Sequence, residues 1–415
     1  MQMVFRSPAA VQPVGKARAR TLARRGTFAL EPVDALPRLS ERISQLAERS
    51  LDANPFFLPE FLEPAIQAIG RSNLRLAIYS DREDLRFFAP VVTGGGRVLG
   101  GRRFSVWAHP YAPLGSPLID KDASRAVGDA LLHHMRTSGR TLFTAPHMPL
   151  AGASADVLRD AASRHGMWTV AERQKRPVLY PSGTDGLPEF DRMVSHKRRR
   201  ELDRQLRRLC EAGAVSFMSA RTASEIESAF SAFTALEGSG WKGRRGTAMV
   251  RRQNVHEFAR IAVMQLAQIG HATIDVVRVG HTPIAALIRI DQGGFSIPWK
   301  IAFDESFAAF SPGKQLMCDE TRRWLHEGKV RKVDPVCEED NPLASWLWRD
   351  REPYGTLLIS TGRLGINARV RAGLANLKSI GKAHAKALLR PSKPRPKAVQ
   401  KKKRATKAKA TRPRR

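Results

Sequence analysis

The sequence predicts a mixed α/β protein, an α+β mixed-sheet class, built from two similar tandem units between a basic arm and a basic tail. Four observations carry this. Helix-like and strand-like periodicities alternate along the chain. The same order of helices, antiparallel strands, a helix and another strand occurs once on each side of the Pro181-Ser-Gly-Thr-Asp-Gly186 break. At 415 residues and 42% hydrophobic, the chain has the length and apolar content for two cores. Finally, the net charge of +31 is concentrated at the C-terminus: no acid follows Glu352, and residues 363–415 contribute 19 Lys and Arg. Without them 70 − 19 = 51 basic residues face 39 acidic ones, a balance of +12. The expected organisation is an arm over 1–37, units over 38–185 and 186–355, a basic amphipathic helix over 356–390, and a disordered polycation over 391–415.

Residues 1–30 hold six Lys and Arg, no continuous apolar stretch and no acid, which reads as a disordered arm and not a secretory signal. Ser40 is placed to cap a helix whose face carries Ile43, Leu46 and Leu51, and Asn54-Pro55 opens a second, Phe-rich one. Leu74–Tyr79 and Arg86–Val92 form a hairpin across Asp81–Asp84. Gly94–Gly96 and Gly100-Gly101 open no helix and read as turn glycines before a strand at Phe104–Ala108. A helix at Ala123–Met135, a strand at Thr141–Ala145, a helix at Ser154–His165 and strand structure over Trp168–Tyr180 complete the first unit.

The second unit opens on a helix over Phe190–Cys210. Leu202, Leu206 and Leu209 form its packing stripe, and Ser195–Leu209 carries seven Lys and Arg against two acids. Seven cations exceed what two carboxylates neutralise, so this face is suited to an anion. Then come a strand at Val215–Ser219, a helix from Thr222 or Ser224 to Leu236, a loop at Glu237–Gly243, a helix at Asn254–Ile269, and strands at His271–Val279 and Ile284–Ile290. Phe295–Gly328 reads as strand, Ser311-Pro-Gly-Lys314 break and helix, with Lys332–Val336 the strand beyond. A helix that starts behind such a loop offers free N–H groups and a positive dipole end, a phosphate site as well as an ordinary connection.

Cys210, Cys318 and Cys337 give neither a disulfide framework nor a zinc pair, and the histidines show no ligand spacing. No metal is expected, and the compartment is a reducing one, the cytoplasm. No apolar run approaches the roughly 20 residues a membrane span needs. Ile366–Arg390 nevertheless has the pattern of a helix that lies on an anionic membrane face. The tail implies an anionic partner: membrane surface, nucleic acid or acidic polymer.

Leu236-Glu-Gly-Ser-Gly-Trp-Lys-Gly243, followed by Pro298-Trp-Lys-Ile-Ala-Phe-Asp-Glu305 and Phe310-Ser-Pro-Gly313, resembles the GNAT-like acetyltransferases of the cellulose-biosynthesis type. More distantly it is similar to the Fem-type peptidyltransferases, which pair two GNAT domains. The resemblance implies two tandem GNAT-like domains and transfer from acetyl-CoA or another acyl-CoA to an amine or hydroxyl, in polysaccharide or cell-envelope biosynthesis. It places Glu237 as general base, Lys242 and Lys300 on an anionic group or oxyanion, and Asp304 as the group that orients a lysine. Trp241 and Trp299 become walls of the acceptor and donor pockets. Backbone around Ile301 would meet the thioester, and Ser311, Gly313, Lys314 and Gln315 the pyrophosphate. Arg198 and Arg199 on the basic helix would contact substrate. The loop lacks the Gln/Arg-x-x-Gly-x-Gly/Ala pattern of typical GNAT enzymes, and the Fem-type relatives use aminoacyl-tRNA. An aminoacyl-tRNA-dependent transferase is therefore the alternative, and a non-enzymatic nucleic-acid-binding protein using the tail a third reading.

Overall fold

A computed structural model describes residues 26–94, 102–182 and 186–361. The expected amphipathic helix, the tail and most of the arm lie outside these residues.

The first unit contains β1 (Thr27–Glu31), α1 (Leu36–Glu48), α2 (Pro59–Ile69), β2 (Leu74–Asp81), β3 (Asp84–Gly94), β4 (Arg102–Val106), β5 (Leu118–Ile119), α3 (Ser124–Thr137), β6 (Arg140–Pro149), α4 (Ala153–His165) and β7 (Met167–Val178). The second contains α5 (Gly186–Met193), α6 (His196–Glu211), β8 (Val215–Ala220), α7 (Ala223–Ser239), α8 (Trp241–Arg244), α9 (Gln253–Gln268), β9 (Ala272–Val279), β10 (Thr282–Gln292), β11 (Phe295–Phe303), α10 (Pro312–Glu327), β12 (Lys332–Val333) and α11 (Ala344–Leu347). The chain then ends its described part in β13 (Asp350–Ser360).

The larger, eight-stranded sheet runs β1-β2-β3-β4-β6-β13-β7, with β5 on β3; the five-stranded sheet runs β12-β11-β10-β9-β8. Each is antiparallel except at one place. β4 pairs parallel with β6 across α3, and β11 pairs parallel with β12 across α10. The two crossovers are the corresponding parts of the two units, and they differ. β4 and β6 pair from Arg102 to Ser105, whereas β11 and β12 meet only at Phe295–Ser296 and then part. Beyond β11, the strands are alternately apolar on the faces that meet helices, so the sheet buries a band of Ile, Val and Ala against α7 and α9.

The units share one core. Phe61 of α2 packs edge-on against Phe258 of α9 (5.3 Å) and Trp299 of β11 (5.7 Å), and the same apolar cluster extends from Leu39 through Trp299 to Ile359. The sheets also touch directly: Leu179, just past β7, exchanges backbone hydrogen bonds with Val333 at 2.8 and 3.0 Å.

Several expectations are corrected. β1 and the start of α1 lie in the span read as a disordered arm, because β1 pairs along β2 from Thr27 to Glu31. Ser40 is inside α1, where its hydroxyl donates to Leu36 O at 3.0 Å, and Pro37 instead marks the start. The single helix expected over Phe190–Cys210 is broken at Val194-Ser195 into α5 and α6. Glu237–Gly243 is not a loop, since α7 runs on to Ser239 and α8 follows. The strand after α10 has two residues, not five. β13 was not anticipated, and it inserts between β6 and β7 of the first sheet, so the expected boundary at 355 falls inside a strand of the first unit.

Candidate functional site

The site begins with α7. Thr222 and Glu225 form a capping box that fixes its start, and Ile226, Ala229, Phe230, Phe233 and Leu236 make its buried stripe. Glu237 stands four residues after Phe233 and so continues that stripe, which leaves a carboxylate only 4% exposed. A buried carboxylate needs partners. Glu237 Oε1 accepts from Lys242 Nζ at 2.9 Å, and Oε2 from the Met249 N–H at 2.8 Å.

Lys242 reaches back to Glu237 because α8 folds tightly against the end of α7. A Cβ on Gly243 would lie 1.7 Å from Gly238 O, so only glycine permits this approach. From the other side Glu305 holds α8, accepting from the Trp241 N–H at 2.7 Å and from Arg244 at 2.5 Å. Glu237, Trp241, Lys242, Ile301, Phe303 and Glu305 line one pocket, and Trp241 is 48% exposed at its mouth.

β11 forms the floor. Asp304 N–H donates to Ile284 O on β10, so by alternation Phe303 and Ile301 turn their N–H and C=O groups away from β10. β12 has already parted there, which leaves these groups on an open backbone edge. A β-bulge in β11, opposite Ile288 and Arg289 of β10, leaves Trp299 without a partner in the register. Lys300 is partly buried with Nζ over the rings of Tyr111 (5.2 Å) and Trp299 (5.6 Å). Removal from water, with repulsion from Lys242 added and attraction from Glu237 opposing, brings its pKa down to about 8.

At the far end of the open edge Ser311 adopts a left-handed conformation (φ 52°) and Pro312 starts α10. Lys314 and Gln315 N–H groups both go to Ser311 O, at 2.9 and 3.1 Å, which leaves Gly313 with the open donor of the turn. Gly313 lies on the Phe303 ring, 3.3 Å from where its Cβ would be. Around this turn the cations stand on aromatic faces: Lys314 and Arg198 over Trp346 at 5.1 and 5.5 Å, and Arg208 over Phe310 at 5.6 Å.

The structure thus brings Glu237, Trp241, Lys242 and Ile301 into one pocket, with Lys300 within electrostatic reach and Ser311, Gly313 and Lys314 at the adjoining helix start. Four residues have other work. Asp304 orients no lysine; its Oδ1 accepts from the N–H and hydroxyl of Ser306 at 2.8 and 2.7 Å, capping the turn 305–310. Trp299 is 6% exposed and donates through Nε1 to Tyr111 O at 2.7 Å, so it locks the units together and walls no donor pocket. Gln315 is buried and donates to Leu202 O at 2.9 Å, fastening α6 to α10. Arg199 is tied to Asp191 at the α5–α6 break, whereas Arg198 donates to Trp346 O at 2.9 Å on the rim.

Sequence reading missed Glu305, and it missed every contribution of the first unit: Tyr111 and His109 sit in a tight turn with no motif of their own. Glu305 carried a signal, as an acid directly after Asp304 in the quoted motif. Among the described residues no group of three His, Cys, Asp or Glu side chains is placed to hold a metal ion.

Residues 196–342 match the family model for an acetyltransferase (GNAT) domain. No curated protein matches the sequence. Among solved structures, FemX is similar at 9% identity, with a TM-score of 0.51 over 77% of this chain and 96% of its own. A conserved protein of unknown function from Bacteroides thetaiotaomicron gives 10% identity and a TM-score of 0.50 over 81% and 100%. The fold is therefore that of two tandem GNAT-like α/β units, and the stretch that matches the acetyltransferase (GNAT) domain model lies in the second.

Proposed function

We propose that the chain is an acyltransferase that moves an acyl group from acyl-CoA to an amine or hydroxyl acceptor. The observation that carries this is the parting of β11 from β12. It opens a backbone edge that runs from the Glu237–Lys242 pair to the Gly313 turn at the start of α10. Such an edge suits the amide-bearing arm of coenzyme A, the Gly313 N–H with Lys314 its pyrophosphate, and the Ile301 N–H an acyl carbonyl.

In the transfer the acceptor's lone pair attacks the thioester carbonyl, and the C–S bond breaks as the new C–N or C–O bond forms. The acceptor loses one proton and the thiolate gains one. Glu237 is the base for the first. Its Oε1 is freed as Lys242 turns toward the developing oxyanion, so one ion pair is exchanged for another within the pocket. Glu305 keeps α8, and with it Lys242, over the floor.

Acceptors of polysaccharide or envelope biosynthesis fit this chemistry. A second reading, transfer from aminoacyl-tRNA, is favoured by one feature: Lys197, Arg200 and Arg207 of α6 are exposed and have no ion-pair partner among the described residues. No helix among the described residues is long and apolar enough to cross a membrane.

Calorimetric titration with acetyl-CoA tests the main reading. Wild type is expected to bind. Gly313→Trp, which fills the turn already in contact with Phe303, is expected to lose binding. Wild type that takes up neither acetyl-CoA nor longer acyl-CoAs sinks the reading.

A further inference from the structure

The second unit's site is closed by the first unit, at the ammonium of Lys300. This cation has no hydrogen-bond or ion-pair partner among the described residues, and its Nζ lies over the Tyr111 and Trp299 rings. The nearby charges are mostly of its own sign. Lys242 lies close enough to repel it, and Glu237 is already committed to Lys242 and the Met249 N–H. From the first unit, the turn closed by the His109–Ala112 bridge brings Tyr111 under Lys300, with the Tyr111 carbonyl fixed by Trp299 Nε1 at 2.7 Å. Arg252, the residue before α9, has its guanidinium beside the Tyr111 phenol. His109 lies in the same environment, where burial and Lys300 hold its pKa at about 4, so it is neutral near pH 7 and adds no acid to balance the cations. Lys300 and Lys242 thus share one engaged carboxylate in a partly buried place, with the exposed Arg252 at its rim beside Tyr111, and positive charge is in excess. An unpaired cation there is costly unless it has a ligand.

We propose that this seam is an anion-anchoring subsite for the acceptor, in which a phosphate ester or carboxylate carried by the acceptor lands on Lys300, with Arg252 and the Tyr111 hydroxyl as further donors. The acceptor class is then an amine or alcohol that also bears an oxyanion. The first unit is needed because it supplies the aromatic seat and one donor. Identification of the ligand as an acceptor rests on the acyl-transfer reading; the anion site itself does not.

The test is protection of individual lysines from reductive methylation by formaldehyde, read by peptide mass spectrometry on the full chain. Inorganic phosphate and succinate are the probes, against sodium chloride at matched ionic strength. One or both are expected to protect Lys300 beyond chloride, and which one does so identifies the anion. Arg252→Ala, an exposed residue whose loss leaves the core intact, is expected to weaken that protection about tenfold, as for one charge-assisted hydrogen bond. Tyr111→Phe, which keeps the ring, is expected to weaken it less. If neither anion protects Lys300 beyond chloride, or if both variants retain full protection, the proposal is overturned. Lys314, at the α10 turn, reports separately on acetyl-CoA. Loss of protection by acetyl-CoA there counts against the donor reading, whatever Lys300 shows.

Discussion

Lys300→Met is the perturbation in which the electrostatics of the seam are most directly read. Methionine keeps the length of the side chain and the contact with the Tyr111 and Trp299 rings but carries no charge. In the folded chain burial brings the lysine pKa from 10.5 down to about 8, which at 1.36 kcal/mol per pH unit is about 3 kcal/mol against the folded state. The two ring contacts return about 1 kcal/mol of this. Relief of about 2 kcal/mol is therefore expected at pH 7. The sign in pH follows from linkage. Above pH 8 the folded chain releases the Lys300 proton while the unfolded chain still holds it up to about pH 10.5. The unfolded state then binds more protons, so this group's contribution to stability rises with pH across that window and is flat below it. Urea denaturation followed by tryptophan fluorescence, at pH 7 and again near pH 10, measures both effects. Lys300→Met should raise the midpoint at pH 7, and the gap between variant and wild type should narrow at the higher pH. A variant no more stable than wild type at pH 7, or a gap that does not change with pH, refutes a desolvated, unpaired cation at this position.

Two further substitutions separate the site from its scaffold. Gly243→Ala puts a methyl group 1.7 Å from Gly238 O, so α8 must move off α7. A loss of about 2 kcal/mol is expected by denaturation, together with more reactivity of Lys242 toward formaldehyde as its bond to Glu237 lengthens. Asp304→Ala removes a cap of the turn 305–310 and should cost about 1 kcal/mol, with the methylation of Lys242 and Lys300 unchanged. A change at either lysine would restore Asp304 as the group that orients it.

What was legible in the sequence was whatever a short stretch decides for itself. The hairpin at β2–β3, the helix start at Thr222 or Ser224 and the Ser311 break all depend on neighbours in sequence, and their residues announce them. Glu237 and Lys242 are five positions apart, so their pairing was also within reach of a local argument. The seam was not. Trp299 reads as a pocket aromatic until Tyr111 O is placed 2.7 Å from its indole, and 188 residues separate the two. β13 is equally silent: its pairing with β6 and β7 depends on a return of the chain from the far end of the second unit. Asp304 is ambiguous for the opposite reason, because a capping acid and a lysine-orienting acid look alike when only composition is seen.

The two crossovers differ in what they offer an anion. In the first, the chain enters α3 through Asp120, which is fully buried, accepts from Asp122 N–H at 2.9 Å, and is held by Arg49 and Arg86, each at 2.7 Å. A protein carboxylate thus stands where the helix start favours an anion, and β4 and β6 are zipped together beside it. In the second, Ser311 and Pro312 bring no acid to the start of α10, Gly313 keeps its N–H open, and β11 and β12 diverge. The corresponding crossover is self-neutralised in the first unit and, on the acyl-transfer reading, left for a ligand in the second. On that reading the pairing of two units has a physical use: the first gives a rigid wall, and its 109–112 turn completes the site of the second.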